Sequence, residues 1–115
     1  MKFKNIWRSE TAHAHCDGPC GVYDPASARI AAEAVLSMTK KLLALEAPDT
    51  NNKEALLAYQ NTAARYIKIK EVEAHKTKEE LLVLWTDYFK PQHLEQFPDL
   101  HDMFCKSAKL CSACK

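Results

Sequence analysis

Apolar side chains recur at helical spacing along most of the chain, with polar residues between them. After Asp24-Pro25 they return every three or four positions, which predicts a helix with one buried face. Asp24 suits the N-cap of this helix and Pro25 its first helical position. The polar segment 48–52 then separates it from the rest of the chain. The residues predicted to face the core are Ala31, Ala34, Val35, Met38, Leu42 and Leu45.

A segment without glycine or proline runs from Lys53 to Lys90 and predicts a second helical region. Thr77 and Glu80 match a capping box, which predicts two helices meeting near residues 75–77. After a turn-rich link between two prolines, residues 99–114 predict a last helix. The predicted inward positions are Leu56, Ala63, Tyr66, Ile67 and Val72, and in the last helix Leu100, Met103, Phe104 and Leu110. The fold class is therefore predicted to be all-α, a small up-and-down helical bundle.

Length and charge narrow the class of protein. A chain of 115 residues suits one domain, and 16 basic against 15 acidic residues give no strongly basic face for nucleic acid. No apolar run approaches the roughly 20 residues of a membrane span. Residues 1–14 also lack the apolar stretch of an export signal. We therefore expect a cytoplasmic protein that has no nucleic-acid partner and no membrane partner.

The chain has five cysteines, an odd number that argues against a disulfide scaffold. Reduced thiols favour metal or redox chemistry instead. Cys111 and Cys114 form a CxxC pair, but the predicted helix around it lacks the βαβ setting of a thioredoxin-type motif. We interpret this pair as ordinary core or tail cysteines, and Cys105 as a buried, inert thiol.

The densest group of ligand-type side chains lies in residues 15–23, HCDGPCGVY, called the hook below, which also hold both glycines of the chain. The thiolates of Cys16 and Cys20 with the imidazole of His15 select a late transition metal, and they leave a tetrahedral zinc site one ligand short. If the chain were cut before His15, its new α-amine would add a nitrogen. That amine, the Cys16 amide and the two thiolates form a planar set suited to Ni(II) or Cu(II), with the imidazole on one axis.

The hook, together with LWTDYFKP at 84–91 and FPDLH at 97–101, resembles the nickel-containing superoxide dismutase family over roughly residues 15–110. The resemblance implies a leader, residues 1–14, that a maturation peptidase removes before His15. It implies one nickel ion per subunit, bound by His15, Cys16 and Cys20. It also implies disproportionation of superoxide to oxygen and hydrogen peroxide by Ni(II)/Ni(III) cycling, in a homohexamer of helical bundles.

Further site residues follow from the same resemblance. Tyr23 is similar to the family's gatekeeping tyrosine, which orders water and substrate near the open axial face, and Tyr88 to a second tyrosine behind it. Asp17 and Pro19 match residues that shape the hook and its contacts between subunits. Because superoxide is a small anion, we expect Lys90 to steer it electrostatically.

The chain departs from the family pattern in two places. Family members steady the axial histidine with a carboxylate and an arginine, but the matching positions here are Ala31 and Glu73. We expect Glu73 to meet His15 directly. The chain also ends where the family's last helix would begin. Two other functions stay open at this point: a nickel or copper carrier that uses the hook without turnover, and a thiol-redox protein that uses Cys16 and Cys20. A carrier has no need of a gatekeeper such as Tyr23.

Overall fold

A computed structural model describes residues 20–115 of the chain. No strand occurs in this part, so the all-α prediction is confirmed. The longest helix packs against the first helix and also against the last. The elements are α1 (Ala26–Leu43), α2 (Lys53–Val83), a π-helical turn called the π-turn (Leu84–Tyr88), α3 (His93–Gln96) and α4 (Leu100–Ala113).

Helix α1 begins one residue later than predicted. Pro25 is its N-cap, and the Asp24 carboxylate accepts a hydrogen bond of 2.8 Å from the backbone N–H of Ala26. Asp24 therefore still supports the start of the helix, but from the position before the cap. The predicted inward stripe is confirmed: Ala31 and Val35 are buried, and the other four residues are half-buried.

Helix α2 is continuous over 31 residues, so the predicted break near residues 75–77 is wrong. The Thr77 hydroxyl donates to the backbone carbonyl of Glu73 at 2.8 Å, the bond a threonine makes inside a helix, rather than serving as a cap. The N-cap of α2 is Asn52, whose side chain accepts from the backbone N–H of Ala55 at 3.0 Å. The segment without glycine or proline, residues 53–90, thus contains one long helix followed by the π-turn.

Small side chains make up much of the core. Ala31 and Ala74 expose 0% and 1% of their surfaces, so α1 and α2 approach closely at this level. Ala28 and Ala108 are also buried, with Leu84 and Leu100 as the larger members. Four residues predicted to face inward are instead largely exposed: Ile67, Val72, Met103 and Leu110.

The described helices differ from membrane-spanning helices. Within residues 20–115, none of them combines the length and the apolar character that crossing a lipid bilayer requires.

Candidate active site

The π-turn connects the end of α2 to the region of the predicted tyrosines. The backbone N–H of Phe89 donates to the carbonyl of Leu84 at 3.2 Å, a bond that spans five residues instead of four. One residue more than in an α-helical turn is thereby accommodated, which is the geometry of a π-bulge, a feature frequent at functional sites. The helix then ends because Phe89 is extended and Lys90 precedes Pro91.

Tyr23 and Tyr88 meet although 65 residues separate them in the sequence. Their ring centroids lie 5.6 Å apart with the planes inclined at 53°, within the range of a favourable aromatic pair. Tyr23 is half-buried, whereas Tyr88 exposes 45% of its surface. They line an open cavity of about 360 Å³, the tyrosine pocket, whose walls are Tyr23, Pro25, Leu81, Leu84, Tyr88, Phe89 and Phe104.

Two further rings, those of His93 and Phe89, pack on Tyr88. His93 stacks nearly parallel to Tyr88, at 5.8 Å between centroids and 11° between planes. Phe89 meets Tyr88 edge to face at 5.0 Å and also packs against Phe104 of α4 at 5.3 Å. The aromatic cluster therefore joins the π-turn to α3 and α4, and it fixes the back wall of the tyrosine pocket.

Cys20 is the one predicted metal ligand among the described residues. Its side chain is exposed, and its sulfur lies 3.9 Å from the carbonyl oxygen of Val22. Gly21 follows with a φ of +69°, in the left-handed region that favours glycine, and a Cβ added there would meet nothing within 4 Å. The exposed thiol therefore precedes Tyr23, which lines the tyrosine pocket, by three residues.

The other predicted residues of the hook, His15, Cys16, Asp17 and Pro19, lie outside the described residues. Over residues 20–115, no group of three or more histidine, cysteine or acidic side chains could hold a metal ion. The described residues alone therefore do not supply a set of three such donors around Cys20. Two thiolates, an imidazole, an amine and an amide nitrogen form a donor set that suits nickel.

Lys90 lies directly after the π-turn and the aromatic cluster. Its side chain is exposed, and its ammonium group donates to the carbonyl oxygen of Asp87 at 2.9 Å. This bond fixes a positive charge two residues from Tyr88. The predicted steering role of Lys90 stays a prediction, because Lys90 is not among the residues that line the tyrosine pocket.

Glu73 lies on α2, well before the tyrosine pocket. Eleven residues separate it from Leu84, which corresponds to about 16 Å along a helix axis. Its backbone carbonyl accepts from Thr77, as described above. Its predicted contact with the His15 side chain stays a prediction, because that histidine is outside the described residues.

Two histidines of this region had no predicted role. The Nδ1 of His93 accepts from the backbone N–H of Lys90 at 2.8 Å, and the Nδ1 of His101 accepts from the indole N–H of Trp85 at 2.8 Å. The signal for His93 is its place five residues after Tyr88 with Pro91 between them, because such a turn brings the chain back on itself.

The CxxC pair lies away from this site, at the end of α4. Cys111 is half-buried and Cys114 is exposed. Burial raises the pKa of the Cys111 thiol, and the negative charge on Cys114 raises it further. A thiol with a raised pKa is less often the reactive thiolate, which agrees with the interpretation of ordinary cysteines.

Residues 20–115 thus form a small all-α bundle in which an exposed thiol precedes, by three residues, a tyrosine that lines an aromatic pocket. The sequence model of the family described as nickel-containing superoxide dismutase matches residues 10–115. The chain therefore belongs to the nickel-containing superoxide dismutase family.

Individual relatives agree with this membership. "Superoxide dismutase [Ni]" of Streptomyces coelicolor is 41% identical over 105 residues, covering 91% of this chain and 71% of the relative. The protein of the same name from Streptomyces seoulensis is 45% identical over 102 residues, covering 89% and 69%. A native nickel superoxide dismutase structure superposes with a TM-score of 0.69 at 42% identity, covering 88% of this chain and 76% of that one.

Proposed function

We propose that this chain disproportionates superoxide to oxygen and hydrogen peroxide, with nickel held by His15, Cys16 and Cys20. The metal and the activity follow from membership of the nickel-containing superoxide dismutase family. A carrier without turnover is not favoured by these relatives, which are named as enzymes. The observation that supports the site is the exposed Cys20 thiol, three residues before a tyrosine whose ring packs on Tyr88 at 5.6 Å.

The hook supplies all donors in this proposal. His15 contributes its α-amine and its imidazole, Cys16 its amide nitrogen and thiolate, and Cys20 its thiolate, for one nickel ion per chain. Asp17 and Pro19 shape the segment between the two cysteines. Bound nickel supplies reversible one-electron chemistry between Ni(II) and Ni(III), because anionic sulfur and amide donors favour the higher oxidation state.

The tyrosines control access to the hook. Tyr23 holds water and substrate at the open face, and Tyr88 supports it from behind. Forming hydrogen peroxide from superoxide consumes two protons, and water held at the Tyr23 hydroxyl delivers them. The apolar walls of the tyrosine pocket leave the two hydroxyl groups as its polar elements, so water is ordered there by these side chains.

Two further residues, Lys90 and Glu73, complete the proposed site. Lys90, fixed by its bond to the Asp87 carbonyl, draws the anionic substrate towards the pocket. Glu73 supports the His15 imidazole, since a carboxylate that accepts from the ring of a metal-bound histidine orients it and raises its basicity.

Maturation completes the donor set. Residues 1–14 act as a leader, and a peptidase that cuts before His15 releases the α-amine, because a nitrogen within a peptide bond is not an amine donor. We place the protein in the cytoplasm, where its thiols stay reduced.

The mature chain assembles as a homohexamer. Many large apolar side chains are exposed on the described helices, and contacts between chains would bury them. They include Ile30, Leu36, Leu43, Leu57, Ile67, Ile69, Val72, Met103 and Leu110. Light scattering of the nickel-loaded mature protein is expected to give six times the mass of one chain, and a monomer at micromolar concentration would contradict the assembly.

Replacing one thiol of the hook tests the site. We expect Cys20→Ser to bind no nickel and to lose superoxide consumption, because a serine hydroxyl does not replace a thiolate as ligand. Cys114→Ser is the matched control, since Cys114 is also exposed but lies outside the hook. Both variants should keep the helical circular dichroism of the parent. Full nickel content in Cys20→Ser would disprove the ligand assignment, and activity in metal-free parent protein would indicate thiol-redox chemistry instead.

A further inference from the structure

His93 is held in one orientation by two hydrogen bonds to the same residue. Its backbone N–H donates to the carbonyl of Lys90 at 2.9 Å, and its Nδ1 accepts from the backbone N–H of Lys90 at 2.8 Å. Because Nδ1 is an acceptor, the neutral ring carries its proton on Nε2. The imidazole plane is therefore set by the backbone of the turn that follows Phe89.

This fixed ring bounds the position of Tyr88. The two rings stack at 5.8 Å with 11° between their planes, and Phe89 meets both of them edge to face, at 5.0 Å for Tyr88 and 5.6 Å for His93. Tyr23 packs on Tyr88 at 5.6 Å, so Tyr88 has aromatic partners on more than one side. Tyr88 still exposes 45% of its surface, so the surrounding protein does not confine it completely.

We infer that His93 is a positioning residue for the reaction: its ring holds Tyr88 against Tyr23 and so sets where the tyrosine hydroxyls lie at the pocket. The inference rests on the proposed function, since it gives Tyr88 the role stated there. It adds a third ring to the pair formed by Tyr23 and Tyr88. The imidazole acts through its stacking face, and its hydrogen bonds to Lys90 keep that face in place.

Three substitutions separate the ring from its hydrogen bond. His93→Phe keeps a flat ring but lacks the Nδ1 acceptor, His93→Asn keeps an acceptor near that position but lacks the ring, and His93→Ala lacks both. His75→Ala is the neutral control, because His75 is an exposed residue in the middle of α2. All four variants are compared with the parent for nickel content, superoxide consumption and helical circular dichroism.

The position of Tyr88 is read directly by fluorine NMR of protein carrying 3-fluorotyrosine, with the Tyr88 resonance assigned from Tyr88→Phe. We expect His93→Ala and His93→Asn to shift and sharpen this resonance and to lower kcat about fivefold, with nickel content unchanged. His93→Phe should keep a stacked-ring shift and most of the activity. His75→Ala should match the parent in every measurement.

The inference is overturned if His93→Ala leaves the Tyr88 resonance and kcat unchanged. It is also overturned if His93→Asn keeps the parent's Tyr88 resonance and kcat while His93→Phe loses them. Loss of nickel in His93→Ala would also overturn it, because the histidine would then support the metal site rather than Tyr88. Failure of the proposed function looks different: the nickel-loaded parent protein would not consume superoxide, whereas the fluorine shifts would still report the packing of His93 on Tyr88.

Discussion

Tyr23 connects the hook to the bundle, because it lies three residues after Cys20 and its ring packs on Tyr88. Tyr23→Phe keeps that ring and removes only the hydroxyl that we propose holds water. We expect kcat/KM for superoxide to fall about fivefold, the value of roughly one hydrogen bond. Pulse radiolysis of nickel-loaded protein measures the rate.

Tyr59→Phe is the control for this change, since Tyr59 is also half-buried but belongs to the first part of α2. An equal fall in both variants, or no fall in Tyr23→Phe, would mean that the Tyr23 hydroxyl has no part in catalysis.

Cys111 gives the bundle a dependence on alkaline pH. Burial raises the pKa of its thiol in the folded state, with a further contribution from the charge of Cys114. The neutral thiol is therefore favoured by folding, so the resulting stability is complete below the unfolded pKa and is lost as pH rises through the folded pKa. We expect the free energy of unfolding to fall less between pH 7 and pH 10 in Cys111→Ala than in the parent. Urea titrations at both pH values measure the difference, and parallel falls would contradict the assignment.

Among the elements, α1 was predicted with its buried face, whereas α2 was predicted to begin at Lys53, as it does, but to be divided near residues 75–77, which was wrong. In α1, the buried and half-buried positions of the predicted stripe recur every three or four residues, so their spacing alone identifies the buried face. In α2, the capping box at Thr77 and Glu80 predicted the start of a new helix. The Thr77 hydroxyl instead donates to the Glu73 carbonyl at 2.8 Å within one continuous helix. Local sequence rules do not include this alternative partner.

The π-turn and the aromatic cluster were beyond prediction from periodicity. The π-turn closes with a bond from the Phe89 N–H to the Leu84 carbonyl, and the aromatic cluster brings together rings of the π-turn, α3 and α4. The meeting of Tyr23 with Tyr88 was expected only from the family resemblance, since their separation in sequence carries no contact information. For His93 the one sequence signal is the turn at Pro91 that follows Tyr88, and the structure shows the stacking of the two rings.

A larger side chain at position 31 tests the close approach of α1 and α2. Ala31 exposes none of its surface. A larger side chain there would overpack the interface, so we expect Ala31→Leu to lower the free energy of unfolding by about 1–3 kcal/mol. Urea denaturation followed by circular dichroism measures this loss.

Ser37→Leu adds the same side chain at an exposed position of α1 and should change stability by less than about 0.5 kcal/mol. If Ala31→Leu were as stable as the parent, the two helices would not be in the close contact described here.

At the scale of the whole molecule, we propose that the bundle supports a catalytic segment that precedes it. Tyr88 lies in the π-turn, Tyr23 and Lys90 lie outside the helices, and the proposed metal donors other than Cys20 precede residue 20. The central claim is therefore chemical: the α-amine of His15 completes the nickel site, and it exists only after residues 1–14 have been removed.

The most direct test compares three chains that differ only at the start: the full sequence, a chain that begins at His15, and a chain that begins at Ala14. The last retains a single extra residue, which converts the His15 nitrogen to a peptide nitrogen. Nickel per chain and superoxide consumption are measured after identical loading. We predict one nickel ion and full activity for the chain that begins at His15, and no activity for the other two. Equal nickel content and equal activity in all three chains would contradict the claim.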